Sequence, residues 1–147
     1  MTRINANIHP SKLVDKHLFA EYREMPRVAS QLQKRINSGK GMPKITEQLK
    51  LGSGHQSFFL DKGLFLRNRY KELYLELINR GYKLKLVFDW DTFYKDKQEY
   101  FNDYEMSDFE NQLLAQRLSE KLHTMSNIKY RGSAISTEEA IKMLSDK

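Results

Sequence analysis

Apolar positions along the chain recur with the period of a helix. Leu18, Tyr22, Met25, Ala29, Leu32 and Ile36 follow one another at intervals of four and three residues, which winds them into one stripe. The spacing predicts a helix from about Ser11 to Ser38, ended by Gly39, since a glycine enters the left-handed cap at little steric cost. Leu66, Tyr70, Leu73 and Leu77 predict a second helix that opens near Asp61 and stops at Asn79-Arg80-Gly81. Ser107 and Glu110 have the spacing of a capping box, and Phe109, Leu113, Leu114, Leu118 and Leu122 continue a third helix behind it. Ser136 and Glu139 repeat that signal before a short terminal helix. The pattern is that of an all-α chain.

The segments between the helices are informative in what they exclude. Residues 39–56 hold Gly39, Gly41, Pro43, Gly52 and Gly54 and read as loop. They lack the Gly-Lys-Ser/Thr of a phosphate-cradling P-loop. The stretch FDWDTFYKDKQEYFNDYE mixes carboxylates and aromatics at no regular period, as in an irregular connection packed by its rings. Asp89, Asp91 and Asp96 read as a solvated acidic loop, because no histidine or further ligand joins them at a fixed spacing. No metal site and no cofactor are expected. Phe58 and Phe59 enter the second helix as packing residues, and Trp90 has no assigned role. With 147 residues and no internal repeat, a single domain spanning 1–147 is the default, with 135–147 as a C-terminal extension.

Composition narrows the class. The chain has no cysteine, so disulfides, thiolate metal sites and a cysteine nucleophile are excluded. No apolar run reaches the length of a membrane span, and the N-terminus has no signal-peptide core. A soluble, intracellular, cytoplasmic protein without a membrane partner is expected. Charge is uneven: residues 1–87 carry 17 Lys and Arg against 7 Asp and Glu, whereas residues 88–147 carry 8 against 12. Basicity confined to one half suits a polyanionic partner, because phosphate neutralisation releases counterions.

One cluster stands out on the first predicted helix. At 100° per residue, Arg23, Arg27, Ser30 and Lys34 line up opposite the apolar stripe, and Glu24 stands beside this cationic face. Pro26 lies in the same turn, where it removes a backbone hydrogen bond and favours a kink. A broken local rule beside a charge cluster is a pattern of functional sites.

The segments MTRIN, HLFAEYREMPRV, LGSGHQSFFLDK, FLRNRYKEL and Arg80-Gly81 together resemble the bacteriophage endonuclease V family of pyrimidine-dimer DNA glycosylases. RLSEK at 117–121 and KYRG at 129–132 extend the similarity. The resemblance implies an all-α domain of three main helices with an inserted N-terminal segment, to which the short C-terminal helix is added. It implies a DNA repair enzyme, virus-encoded and acting in a host cell as a monomer on damaged double-stranded DNA. After removal of Met1, the α-amine of Thr2 would attack C1′ of the damaged nucleotide. Glu24 would stabilise the developing positive charge and shuttle protons through a Schiff base and β-elimination, giving glycosylase followed by abasic-site lyase chemistry. Such an amine titrates near 7.7–8.0 when unperturbed, so part of it is neutral at physiological pH. Arg3, Arg23, Arg27, Lys34, Arg117, Lys121, Lys129 and Tyr130 would hold DNA. His55 is either a residue of the DNA face or a loop histidine satisfied by backbone.

Two other readings use the same residues: a non-catalytic helical DNA-binding module, and an abasic-site lyase with altered lesion choice. The tail motivates the second. Where the family pattern is aromatic, this chain reads SNIKYRG and has Asn127, Ile128 and Arg131. Lys16 also replaces a glutamine before the matching His17, and one extra residue lies near His9-Pro10.

Overall fold

A computed structural model describes residues 4–145. Six helices follow in order: α1 (Asp15–Ser38), α2 (His55–Phe58), α3 (Gly63–Asn79), α4 (Trp90–Tyr94), α5 (Asp108–Thr124) and α6 (Thr137–Ser145). The two-residue strands β1 (Lys129–Tyr130) and β2 (Ser133–Ala134) form an antiparallel hairpin between the last two. The protein is mostly helical, as the periodicity predicts.

α1 and α3 pack side by side to form the centre of the core. Leu18, Met25, Ala29 and Leu32 of α1 are fully buried, as are Leu66, Leu73 and Leu77 of α3. Truncating any of these leucines to alanine costs about 2–5 kcal/mol. α1 starts at Asp15 rather than Ser11, because Pro10–Lys12 form a 3-10 turn and Leu13 and Val14 are extended. Ile36 is 42 % exposed, because the last turn of α1 runs past the core. The helix continues through Pro26, which has no N–H to donate to the Tyr22 carbonyl.

The aromatic stretch after residue 87 is more regular than its sequence suggests. Asp89 caps α4 by accepting from the Thr92 amide, and Trp90 stacks on Tyr94 and meets Tyr70 of α3 edge-on. Trp90 is therefore a core residue, 3 % exposed. At Gly63 a Cβ would lie 2.7 Å from the Tyr94 ring, so glycine is what lets α3 begin against α4. α5 carries the predicted capping box at Ser107 and Glu110, although Phe109 is exposed. Glu110 is the hub here: its carboxylate accepts from the amides of Ser107 and Leu49 and from the Tyr104 hydroxyl. Leu122 of α5, Val14, Ile128 and Ala140 of α6 form a second, smaller apolar cluster. No helix among the described residues is long and apolar enough to cross a membrane.

Candidate active site and nucleic-acid interface

The N-terminal segment is threaded through the helices and gripped by the side chains of Glu21 and Arg69. Thr2 and Arg3, the expected nucleophile and its neighbour, lie outside the described residues. Ile4, Asn5 and Ala6 are buried. The Ile4 carbonyl meets His55 Nε2 at 3.2 Å, and Asn5 Nδ2 donates to Glu21 Oε1 at 2.9 Å. Arg69 of α3 donates to the Ile8 carbonyl and pairs with Glu21 through two hydrogen bonds of 2.7 and 3.0 Å. Glu21 is 0 % and Arg69 2 % exposed, a burial that charged groups tolerate only when paired and hydrogen-bonded. Between these anchors Ala6 adopts φ of 46°, and the Ile8 amide closes a tight turn onto the Asn5 carbonyl. A left-handed alanine costs about 1–3 kcal/mol and persists where its surroundings over-determine it.

Glu24 lies one turn beyond Glu21 on α1 and is 6 % exposed. Its two oxygens have separate donors: Gln56 Nε2 of α2 to Oε1 at 2.6 Å, and Arg27 Nη1 to Oε2 at 3.1 Å. Arg27 itself is largely exposed. So are Arg23 and Lys34, and the Arg23 guanidinium rests 4.7 Å over the Phe19 ring. α1 thus presents a carboxylate at the edge of a solvent-facing cationic stripe, and that carboxylate is buried, which its periodicity does not predict. Between α1 and α5 lies a cleft of about 210 Å³. Asn5, Lys16, His17, Ala20, Arg117 and Lys121 are among its lining residues. Two of the cations expected to hold DNA, Arg117 and Lys121, are thereby brought beside the N-terminal segment.

His55 resolves into the second of its two readings. It is fully buried, with Nδ1 2.8 Å from the Lys50 carbonyl and Nε2 facing Ile4, so it cannot touch DNA from this position. Burial, reinforced by the charges of Arg117 and Lys121, pushes its pKa down to about 4 despite the two carbonyls, which act in the opposite direction. The ring is neutral at pH 7 and has one N–H, which the shorter contact assigns to Nδ1.

The hairpin changes the picture of the tail. Lys129 is exposed. Tyr130 is held: its hydroxyl donates to the Ser11 carbonyl at 2.7 Å and the Arg80 guanidinium covers its ring at 4.5 Å. The Asp15 carboxylate accepts from the amides of Arg131 and Gly132 and from Arg80, fastening the turn to the start of α1. Ile128 is 4 % exposed. This position is a packing site of the small cluster rather than a surface where an aromatic has been lost. Among the described residues no group of three His, Asp or Glu could hold a metal ion.

Sequence reasoning missed Asn5, Glu21, Gln56 and Arg69. Glu21 and Arg69 read as surface charges on their helices, and Gln56 lies in a glycine-rich loop. Their roles come from contacts spanning 16 to 48 residues, which no local pattern encodes. The matched segments that carry Glu24, Arg27 and His55 are the part of the chain that comparison recognises. The sequence profile of the family described as pyrimidine dimer DNA glycosylase matches residues 1–89. The chain belongs to the pyrimidine dimer DNA glycosylase family.

Proposed function

We propose that this chain acts, as one domain and as a monomer, on ultraviolet-damaged duplex DNA, and that it couples base removal to strand cleavage. The neutral α-amine of Thr2 attacks C1′ of the 5′ nucleotide of a cyclobutane pyrimidine dimer. The C1′–N1 bond breaks and its electron pair leaves with the base. Loss of the amine proton and opening of the C1′–O4′ bond give the Schiff base. Removal of a C2′ proton then expels the 3′ phosphate by breaking C3′–O3′. Glu24 stabilises the cationic sugar and carries protons in these steps. Arg3, Arg23, Arg27, Lys34, Arg117, Lys121 and Lys129 hold phosphates, and the reacting nucleotide is extruded at the step that damage has already weakened. Tyr130 contributes by keeping the hairpin that carries Lys129 in place.

The observation that carries this reading is the pairing of a buried, doubly hydrogen-bonded Glu24 with an N-terminal segment clamped at Asn5 and Ile8. A binding module needs the cationic stripe alone. It has no use for a desolvated carboxylate one helical turn from the Glu21 that anchors Asn5. The test is borohydride trapping on dimer-containing and on abasic duplexes, after intact mass has established that Met1 is removed. Adduct mapped to Thr2, lost in Glu24→Gln with DNA affinity retained, is expected. Adduct on a lysine, or none with either duplex, would overturn the mechanism.

A further inference from the structure

The orientation of Glu24 is set from outside α1. A carboxylate only accepts hydrogen bonds, so the Gln56 amide must turn its nitrogen toward Glu24 and its oxygen away. That oxygen accepts from Gln31 Nε2 at 2.5 Å. Gln31 lies seven residues after Glu24, two turns along the same face of α1. Reversing the Gln56 amide would set oxygen against oxygen at one end and nitrogen against nitrogen at the other. One arrangement satisfies all three groups.

Arg27, the other donor to Glu24, cannot be a steady partner if it also holds DNA. Its side chain is 71 % exposed, and a phosphate arriving at the cationic stripe competes with Glu24 for it. Gln56 carries no charge to attract a phosphate and is half-buried on a different helix. It keeps its bond when Arg27 is drawn away.

We propose that Gln56, locked in one amide orientation by Gln31, is a positioning residue that holds the Glu24 carboxylate aimed at the reacting sugar when DNA occupies the site. The proposal rests on the role given to Glu24 above. Gln56 touches no reacting atom in it and acts through Glu24 alone. Misplacement of a catalytic group by about 1 Å can cost on the order of 100-fold in rate, whereas phosphate contacts, and hence DNA affinity, are left in place.

The experiment uses the full chain and a duplex with one cyclobutane thymine dimer. It records single-turnover rate, DNA affinity and melting temperature for the wild type, Gln56→Leu, Gln56→Glu, Gln31→Leu and Glu24→Gln. Gln56→Leu is expected to lower the rate by about 10- to 100-fold with affinity unchanged, and Gln31→Leu to lower it less, in the same direction. Gln56→Glu keeps the shape and gives a distinctive signature. While the two facing carboxyls share one proton, Glu at 56 still donates to Glu24; once that proton is lost they repel. The rate of this variant should therefore fall as pH rises, on a limb that the wild type lacks. A merely structural role would not create that limb. If Glu24→Gln is inactive while Gln56→Leu keeps the wild-type rate and Gln56→Glu the wild-type pH profile, the positioning role is overturned and the function stands. If Glu24→Gln keeps full activity, both fall.

Discussion

His55 makes stability depend on pH in a window where few other groups titrate. Folding pushes its pKa from 6.5 to about 4, chiefly by burial and secondarily through Arg117 and Lys121. Two carbonyls face the ring nitrogens and would suit an imidazolium, but a hydrogen bond to a charged group contributes about 1.5–3 kcal/mol. Dehydrating the cation in a site with no exposed surface costs more than those bonds return. Between pH 6.5 and 4 the unfolded chain therefore binds a proton that the folded chain refuses, so stability falls as pH falls. From pH 7 to pH 5 the loss is about 2 kcal/mol, at 1.36 kcal/mol per unit over roughly one and a half units. Glu110 stays out of this window. Burial pushes its pKa up, but the backbone and tyrosine hydrogen bonds outweigh it and leave it lowered, so its contribution is lost only in more acidic solution.

The assay is urea unfolding followed by circular dichroism, in half-unit steps from pH 7 to pH 5, for the wild type and His55→Gln. Glutamine can still donate to one carbonyl but does not titrate. The variant starts less stable, having lost the edge-on contact of the ring with Phe59 at 5.3 Å, yet its stability should be about 2 kcal/mol less sensitive to pH over this range. Contributions common to the two chains cancel in the comparison. Equal slopes would refute the argument and mean that His55 is as easily protonated folded as unfolded. A steeper slope in the variant would mean that the carbonyls win and the native ring is cationic.

Three further outcomes follow from the same contacts. Arg69→Leu strands the fully buried Glu21 and should cost about 3–5 kcal/mol by urea unfolding, with the Schiff-base adduct reduced wherever the variant remains folded. Lys34→Gln should lower the slope of log affinity against log salt by about one on undamaged duplex, measured by fluorescence anisotropy, with the catalytic rate at saturating DNA unchanged. Ile128→Trp should overpack the small cluster and destabilise the chain by about 1–3 kcal/mol, read as a lower melting temperature. By contrast, aromatics at the exposed Asn127 and Arg131 would test lesion choice without overpacking the cluster, at the cost of straining two positions of positive φ.

The three long helices are legible in the sequence because each buries one stripe, and burial of a stripe is what a 3.6-residue period records. Glu24 is legible only in part. Its place beside the cationic face follows from counting residues along α1, but its burial depends on Gln56, which folding brings across from a segment that reads as loop. Glu21 and Arg69 are harder still, because each lies where surface charge is expected and each is intelligible only as half of a pair. Ile128 misleads in the opposite way. An isolated apolar residue in a polar tail carries no period, and its burial comes from α6 folding back on α5, where Ala140 meets Leu122. His55 shows a limit of a different kind, since the glycine-rich segment locates it without telling whether the ring faces inward or outward.

Ion pairing also sharpens the charge asymmetry beyond what the composition states. Of the seven acids in residues 1–87, five are committed to ion pairs: Asp15 and Glu76 with Arg80, Glu21 with Arg69, Glu24 with Arg27, and Asp61 with Lys62. Three of the cations so engaged, Arg69, Arg80 and Lys62, have side chains at most 9 % exposed and present little charge to solvent. Glu21, Asp15 and Glu76, which pair with Arg69 and Arg80, are withdrawn with them, so those two cations take no net positive charge from the surface. The acids that would otherwise be interspersed with the cations are largely turned inward. A DNA strand approaching α1 therefore meets Arg23, Arg27 and Lys34 with little competing negative charge, and the nearest carboxylate, Glu24, is recessed. Under the proposed function, that recess lets one helix attract phosphates and still carry a carboxylate for the sugar. Exposed on the stripe, Glu24 would repel a DNA strand; buried beside it, with Gln56 and Arg27 as donors, it is in the proposed function reserved for a nucleotide that leaves the duplex.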